Sequence, residues 1–245
     1  MKTLKNHLTI LSVLLLAAAM GIAQPLPAQS NLSVAEILRN TESYYQQLQA
    51  FTAYFDQYTT SSAATSMTNE ASGRLYYQKP RQMRWEYETP EPQVFVANKE
   101  LAWLYVPSEK QISLFDADTF FGSPLAQTFF DGVGKLKSHF DVSLDATRSD
   151  RLSAVLKLIP RKEDPNIQLL RLWIDLKTFK IERVETQDAM ANTNLIVLKS
   201  EKPVPHVDDK LFQMEVPSSA TVVDAEGREL SPSEIEQLKN KLPSR

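Results

Sequence analysis

The clearest pattern in this sequence is an alternation of large apolar and charged residues in the first half of the chain. Met83, Trp85 and Tyr87 occupy every second position, and charged residues fill the positions between them. A period of two residues predicts a β-strand with one apolar face and one solvent-facing side. Apolar runs follow at 94–97 and 101–106 after short turns, so this region predicts three antiparallel strands. The last run is apolar throughout, which indicates that neither of its faces meets water.

Strand patterns recur on both sides of this region. The predicted strands are 51–59, 71–78, 111–115, 141–146, 152–159, 168–175, 180–187 and 194–200, with a last pairing segment inside 207–216. Helices are predicted from Ser33 to about residue 50 and from Ser231 to about residue 242, because each start carries a serine and a glutamate at capping-box spacing. About ten or eleven strands, about four helices and no internal repeat predict a single α+β domain.

The strand pattern stops between residues 118 and 140. This stretch is rich in phenylalanine and leucine and contains several glycines, and we predict two short helices in it, 124–130 and 133–139. These helices either cap the core or form a movable lid. The residues alone favour a cap, because buried aromatic side chains usually serve packing.

The N-terminus has the organisation of a signal peptide. Lys2 and Lys5 precede an apolar stretch at 8–19, and small residues further on fit cleavage after residue 23 or 30. The stretch is short for a membrane span, so an uncleaved anchor is the less favoured alternative. We therefore assign residues 1–30 to the signal peptide and expect an exported, soluble mature protein.

Composition excludes several classes of function. The formal net charge of −3 becomes −5 once the signal peptide with its two lysines is removed, so no basic surface for nucleic acid is expected. Cysteine is absent from the sequence. Its absence excludes disulfides, thiolate catalysis and acylation at an N-terminal cysteine.

A recognisable catalytic set is also missing from the sequence. The mature chain holds two histidines, His139 and His206, and neither stands at motif spacing from a carboxylate or hydroxyl partner. The stretch 132–135 is similar to a phosphate-binding loop, but Phe129 replaces its first glycine and Leu136 its serine or threonine. We therefore predict no enzymatic activity, no cofactor and no metal site.

Several motifs together resemble the LolA family of periplasmic carriers of outer-membrane lipoproteins. The resemblance covers about residues 33–224, and the motifs occur in the family's order. The matching segments are F-x-A-x-F-D-Q at 51–57, G-R-L-Y-Y-Q-K-P-x-x-M-R-W-x-Y at 73–87, L-A-W-L-Y-V-P at 101–107, L-W-I-D at 172–175 and V-D-D-K-L-F-x-M-x-V-P at 207–217. Each segment is weak alone, and the specificity of the resemblance comes from their order, the signal peptide and the missing catalytic set.

The resemblance implies an incomplete, half-open antiparallel β-barrel of about eleven strands with a helical lid. It implies a periplasmic carrier that shields the acyl chains of lipoproteins between the inner and outer membranes. Its partners would be acylated lipoproteins, an inner-membrane lipoprotein-releasing ABC transporter and an outer-membrane acceptor similar to LolB. The carrier would be a monomer that binds no nucleic acid. A sensor or protein-interaction domain with the same half-barrel, or a carrier of another lipid, is the alternative.

On this basis, residues 31–224 form the LolA-like carrier domain and residues 225–245 a polar C-terminal helix or tail. The resemblance implies an acyl-chain cavity between sheet and lid, lined by apolar strand positions and the insert. The expected lining residues are Phe51, Phe55, Met83, Trp85, Tyr87, Trp103, Tyr105, Leu125 and Phe129. In the family a basic residue near the opening tethers the lid. Arg84 and Lys79 are the candidates here, and we prefer Arg84 because a guanidinium can hold two backbone carbonyls at once.

Overall fold

The computed structural model describes residues 32–64, 67–99, 101–117, 136–164, 166–213 and 215–241. The signal peptide, the predicted helix 124–130 and the first half of the predicted helix 133–139 lie outside these ranges. No helix within the described ranges is long and apolar enough to cross a membrane.

Three α-helices and twelve strands lie within the described residues. The helices are α1 (Val34–Gln47), α2 (Leu136–His139) and α3 (Pro232–Lys241). The strands are β1 (Ala50–Thr60), β2 (Thr68–Gln78), β3 (Gln82–Thr89), β4 (Gln93–Ala97), β5 (Leu101–Val106), β6 (Gln111–Asp116), β7 (Phe140–Leu144), β8 (Ser153–Pro160), β9 (Leu169–Asp175), β10 (Ile181–Gln187), β11 (Thr193–Val204) and β12 (Thr221–Val223). Short 3₁₀ helices span Ser62–Ala64 and Asp209–Phe212.

All twelve strands belong to one sheet that does not close on itself. The strand order is β12-β6-β5-β4-β3-β2-β1-β11-β10-β9-β8-β7. Neighbouring strands are antiparallel except β12, which runs parallel to β6. This confirms the predicted open antiparallel sheet. The predicted pairing segment within 207–216 is wrong, however, because Asp209–Phe212 forms a 3₁₀ helix and the extra strand, β12, follows it.

The strand register assigns each side chain to one of two faces of the sheet. Phe55 lies opposite Leu198 of β11 and Gly73 of β2, and Tyr87 of β3 lies opposite Gly73 in turn, so these residues share a face. Val184 of β10 lies opposite Ile196 of β11, and Ile196 is two residues from Leu198, so Val184 belongs to the same face. Helix α1 packs against this side, which we call the α1 face.

Helix α1 forms because its sequence combines a capping box with an apolar stripe. The Ser33 hydroxyl accepts a hydrogen bond from the Glu36 backbone N–H, and the Glu36 carboxylate accepts one from the Ser33 N–H. Ile37 and Leu38 are fully buried against the β8–β10 half of the sheet. Each such side chain contributes about 1.5–3 kcal/mol on burial, so this half of the α1 face is a closed core.

The opposite side of the sheet is covered in part by the end of the chain, and we call it the C-terminal face. Val207 and Phe212 pack there with residues of β4, β5 and β6. Leu230 is buried in the same cluster, and Ile235 and Leu238 of α3 pack against it. The apolar side of the predicted polar C-terminal helix is therefore part of the core.

Candidate functional site

An aromatic floor crosses β1, β2 and β3 on the α1 face. It consists of Phe51, Phe55, Tyr77, Trp85 and Tyr87. The ring centroid of Phe55 lies 4.7 Å from that of Trp85 and 5.0 Å from that of Tyr87, both edge to face. Phe51 stacks on Tyr77 at 5.0 Å. These rings form a continuous apolar surface because antiparallel partners at every second position point to the same side.

The floor changes from buried to partly exposed along the strands. Phe51, Phe55 and Met83 are fully buried, whereas Trp85 and Tyr87 are partly buried. Five of the predicted lining residues therefore share one surface. Its Trp85–Tyr87 end is the part that a ligand can reach from solvent.

The strand register separates two predicted lining residues from the aromatic floor. Trp103 and Tyr105 lie on the C-terminal face, where they pack with β6 and the end of the chain. The prediction that Trp103 and Tyr105 share a face with Trp85 is therefore wrong. The physical reason is that β5 is apolar on both sides, so its sequence carries no sign of which residues face which way. Leu125 and Phe129 lie outside the described residues.

Lys79 joins the turn between β2 and β3 to the end of helix α1. Its Nζ donates hydrogen bonds to the backbone oxygens of Tyr45 at 2.9 Å and Gln46 at 3.0 Å. Carbonyls in the last helical turn have no partner inside the helix and carry the negative end of its dipole, so an ammonium group stabilises them. Burial lowers the pKa of Lys79.

A second cluster holds the same end of α1 from the other side, at β10 and β11. The Glu201 carboxylate accepts hydrogen bonds from the hydroxyls of Tyr44 at 2.5 Å and Tyr45 at 3.2 Å. Lys180 Nζ lies 3.5 Å from the same carboxylate. Burial, and then the Glu201 charge, raise the pKa of both phenols, so they remain protonated donors. Sequence analysis missed this cluster, because its members are about 160 residues apart in the chain.

Arg84, the preferred tether, faces away from helix α1. Its side chain lies on the C-terminal face, where Nε donates to Glu86 at 2.6 Å and Nη1 donates to the backbone oxygen of Leu211 at 2.9 Å. Arg84 therefore holds the 3₁₀ helix Asp209–Phe212 on the face away from α1. Its role as the tether of a lid stays a prediction, because the predicted helix 124–130 lies outside the described residues. Lys79 makes the contact with two backbone carbonyls that was expected of Arg84.

Two further amide side chains, those of Gln78 and Asn98, attach the segment 207–212 to the C-terminal face. Gln78 is 7% exposed. Its Oε1 accepts from the Val207 N–H at 2.7 Å, and its Nε2 donates to Asp209 at 2.9 Å. Asn98 donates to the backbone oxygen of Phe212 at 3.3 Å. Because these polar groups satisfy one another, the segment from 207 to 212 is a fixed part of the fold.

The exposed end of the aromatic floor meets neutral polar side chains. Tyr87 Oη donates to Gln57 Oε1 at 2.9 Å, and Gln57 Nε2 donates to Asn194 Oδ1 at 2.9 Å. A cavity of about 270 Å³ opens beside Gln57 and Tyr87. No group of three or more potential metal-ligating side chains occurs among the described residues. The surface is therefore suited to binding an apolar molecule with an uncharged polar end.

Comparison with known proteins assigns this half-open sheet to a family. Residues 46–215 match the family described as outer membrane lipoprotein carrier protein LolA. The match spans well over half of the chain, and the chain belongs to the LolA family, a family of carrier proteins.

Individual relatives agree with this assignment. The outer-membrane lipoprotein carrier protein of Methylobacillus flagellatus is 25% identical over 189 residues, covering 77% of this chain and 89% of the relative. That of Chromohalobacter salexigens is 26% identical over 208 residues, covering 85% and 95%. The crystal structure of an uncharacterized conserved protein from Thermus thermophilus is similar with a TM-score of 0.52 at 16% identity, covering 79% of this chain and 99% of that one. This last likeness concerns the fold alone.

Proposed function

We propose that this chain works in the periplasm as a carrier that shields the acyl chains of lipoproteins on their way from the inner to the outer membrane. The observation that carries the proposal is the aromatic floor, whose residues form one hydrophobic cluster from buried Phe51 to partly exposed Tyr87. Family membership supports the same role, and the signal-peptide pattern of residues 1–30 supports the location.

The need for such a surface follows from the cost of exposing an acyl chain to water. Burying one methylene group is worth about 0.8 kcal/mol, so a long acyl chain costs on the order of 10 kcal/mol to leave in water. An apolar floor offsets most of that cost. Because the site must also release its cargo, binding has to remain weaker than the acceptor's.

The proposed lining is the set of expected residues on the α1 face, namely Phe51, Phe55, Met83, Trp85 and Tyr87. The proposed tether is Lys79, because it stands in the turn after β2 and its side chain donates two hydrogen bonds to α1. Release would then come from a difference in affinity between two positions of the end of α1, which packs beside Phe51. No nucleotide-binding motif in the chain offers another source of work.

The proposed partners follow from this role. Acylated lipoproteins would be delivered by a lipoprotein-releasing ABC transporter of the inner membrane. A LolB-like acceptor of the outer membrane would receive them, and the carrier would act as a monomer without enzymatic activity. A transfer assay tests this part of the proposal. The purified carrier should pass a bound lipoprotein to an acceptor, and failure of the transfer would contradict the proposed partners.

Displacement of an apolar fluorophore by a diacylated lipopeptide tests the binding surface. Trp85→Asp places a charge on the aromatic floor and is expected to weaken lipopeptide binding at least ten-fold. Tyr54→Asp is the matched control, since Tyr54 is 53% exposed on the other side of β1. Trp85→Ala, checked for folding by circular dichroism, repeats the test without a new charge. Equal effects of the substitutions at Trp85 and Tyr54 would contradict the proposed surface, as would a stable complex with a protein partner that needs no lipid.

A further inference from the structure

The polar side chains at the exposed end of the aromatic floor form a row across three strands. Gln57 of β1, Tyr87 of β3 and Asn194 of β11 are joined by two hydrogen bonds, each 2.9 Å long. We call these three residues the polar row. Gln57 stands two residues after Phe55 on β1, and Tyr87 stands two residues after Trp85 on β3. The polar row therefore continues the aromatic floor on the same face.

The polar row keeps hydrogen-bonding capacity that the protein does not use. Gln57 Nε2 has two N–H groups, and one of them is donated to Asn194. Asn194 Oδ1 also accepts a weaker bond from Thr59 at 3.4 Å. Among the described residues, no acceptor is found for the Asn194 amide N–H groups, and Asn194 is itself partly buried. Free amide donors beside an apolar surface are suited to carbonyl oxygens.

The cavity beside the polar row is uncharged or acidic. Besides Gln57 and Tyr87, its described lining includes the acidic residue Glu91. Glu70 also borders the cavity, but its position opposite Tyr58 places its side chain on the other face of the sheet. No lysine, arginine or histidine occurs among the described residues that line it. A carboxylate repels a second anion and leaves a neutral group unaffected, so this cavity disfavours a phosphate group.

We propose that the polar row and its cavity form a headgroup subsite for the uncharged ester and amide carbonyls at the root of acyl chains. This inference rests on the proposed carrier function and adds a direction and a selectivity to it. The acyl chains extend over the aromatic floor toward buried Phe51 and Met83. Their carbonyls accept hydrogen bonds from Gln57 and Asn194.

Lipoproteins and phospholipids both present diacyl ester carbonyls, and the subsite distinguishes between lipoproteins and anionic phospholipids. A lipoprotein carries them on an uncharged glyceryl group attached to its N-terminus. An anionic phospholipid carries a phosphate close to the same carbonyls, which would place its charge near Glu91. The subsite therefore selects the uncharged diacylglyceryl class and keeps anionic phospholipid out.

Chain-matched probes test the inference. We would measure displacement of an apolar fluorophore from the full mature chain by dioctanoylglycerol and by dioctanoyl phosphatidylglycerol, each below its micelle-forming concentration. The expected result is tighter binding of dioctanoylglycerol. Gln57→Met should weaken that binding about five-fold, as the loss of one net hydrogen bond does. Gln187→Met is the matched control, because Gln187 is partly buried on the opposite face.

Further variants keep the test decisive. If Gln57→Met does not fold by circular dichroism, Asn194→Leu takes its place with the same expected weakening. Glu91→Gln should strengthen phosphatidylglycerol binding and leave dioctanoylglycerol binding unchanged, whereas Glu70→Gln, on the other face of the sheet, should change neither.

The two proposals fail in different ways. If both probes displace the fluorophore equally well and Gln57→Met acts no more strongly than Gln187→Met, the headgroup subsite is overturned while the carrier function stands. If dioctanoylglycerol fails to displace the fluorophore while the diacylated lipopeptide displaces it, the subsite is overturned and the carrier function stands. If the lipopeptide fails as well, both fall.

Discussion

Lys79 Nζ lies 2.9 Å from the backbone oxygen of Tyr45, so the turn between β2 and β3 holds the last turn of helix α1. On the other side, the Tyr45 hydroxyl donates to Glu201 and accepts from the Ile181 N–H at 3.1 Å. The end of α1 is thus fixed to two separate parts of the sheet. The position of its last turn beside Phe51, at the buried end of the aromatic floor, depends on both attachments.

Removal of the Lys79 charge should loosen the end of α1. Lys79→Met keeps most of the apolar stem and deletes both bonds to helix carbonyls, so stability should fall by about 1 kcal/mol. Backbone amides of residues 44–48 should exchange their hydrogens faster. Lys202→Met, at an exposed lysine of β11, is the control. Unchanged exchange at 44–48 in Lys79→Met would show that Lys79 does not hold the helix.

Arg84 is expected to stabilise the 3₁₀ helix Asp209–Phe212 and to have little effect on ligand binding. Arg84→Met removes the bond to the Leu211 carbonyl, so hydrogen exchange should rise in residues 209–213. Lipopeptide binding should stay within about two-fold of the wild type, because the Arg84 side chain lies on the face away from the floor. A binding change as large as that of Trp85→Asp would contradict the assignment of faces.

Gly73 should tolerate no side chain. A Cβ at this position would lie 1.8 Å from the Glu86 carbonyl oxygen and 3.0 Å from the Phe55 ring. Gly73→Ala must therefore shift β3 or Phe55, and the loss of stability should be on the order of 3 kcal/mol. Gly227→Ala is the comparison, since a Cβ there meets open space and the cost arises from its φ of +82° alone, about 1 kcal/mol. Chemical denaturation measures both, and equal losses would contradict the close packing at Gly73.

Acid should weaken the start of helix α3. Hydrogen bonds from the Ser231 backbone and hydroxyl, together with Arg228, lower the pKa of Glu234 to about 2 from 4.5. Because the folded pKa is the lower one, the contribution to stability is complete above about pH 4.5 and is lost as the pH falls toward 2. Hydrogen exchange at residues 233–235, corrected for intrinsic rates, should show greater opening at about pH 2.5 than at about pH 5. Glu234→Gln should remove most of this difference, and a difference that persists in full would contradict the carboxylate's role.

The aromatic floor was predictable from the sequence because β1 and β3 alternate. Their period of two residues placed Phe51 and Phe55 on one side of β1, and Trp85 and Tyr87 on one side of β3. The face of Trp103 was not predictable in this way. Its strand is apolar on both sides, and the cover over one of them comes from residues about a hundred positions later in the chain.

The face of Arg84 could have been predicted from the sequence. Arg84 stands between Met83 and Trp85, so the strand period alone turns its side chain away from the apolar face. The contact of Lys79 with Tyr45 depends on where α1 ends relative to a distant turn, which only the folded chain determines. The Glu201 cluster and the polar row are similar, since each joins residues from elements far apart in the sequence.

The most direct test of the central claim is to locate the acyl chain on the protein. A diacylated lipopeptide with a photoreactive group in one acyl chain would be bound to the mature chain and irradiated, and the labelled residues identified by mass spectrometry. The account predicts labels on the α1 face, at Phe55 or Trp85 and their neighbours, which an unlabelled lipopeptide prevents. Labels at Tyr54 or Trp103, or labels that no competitor removes, would contradict it.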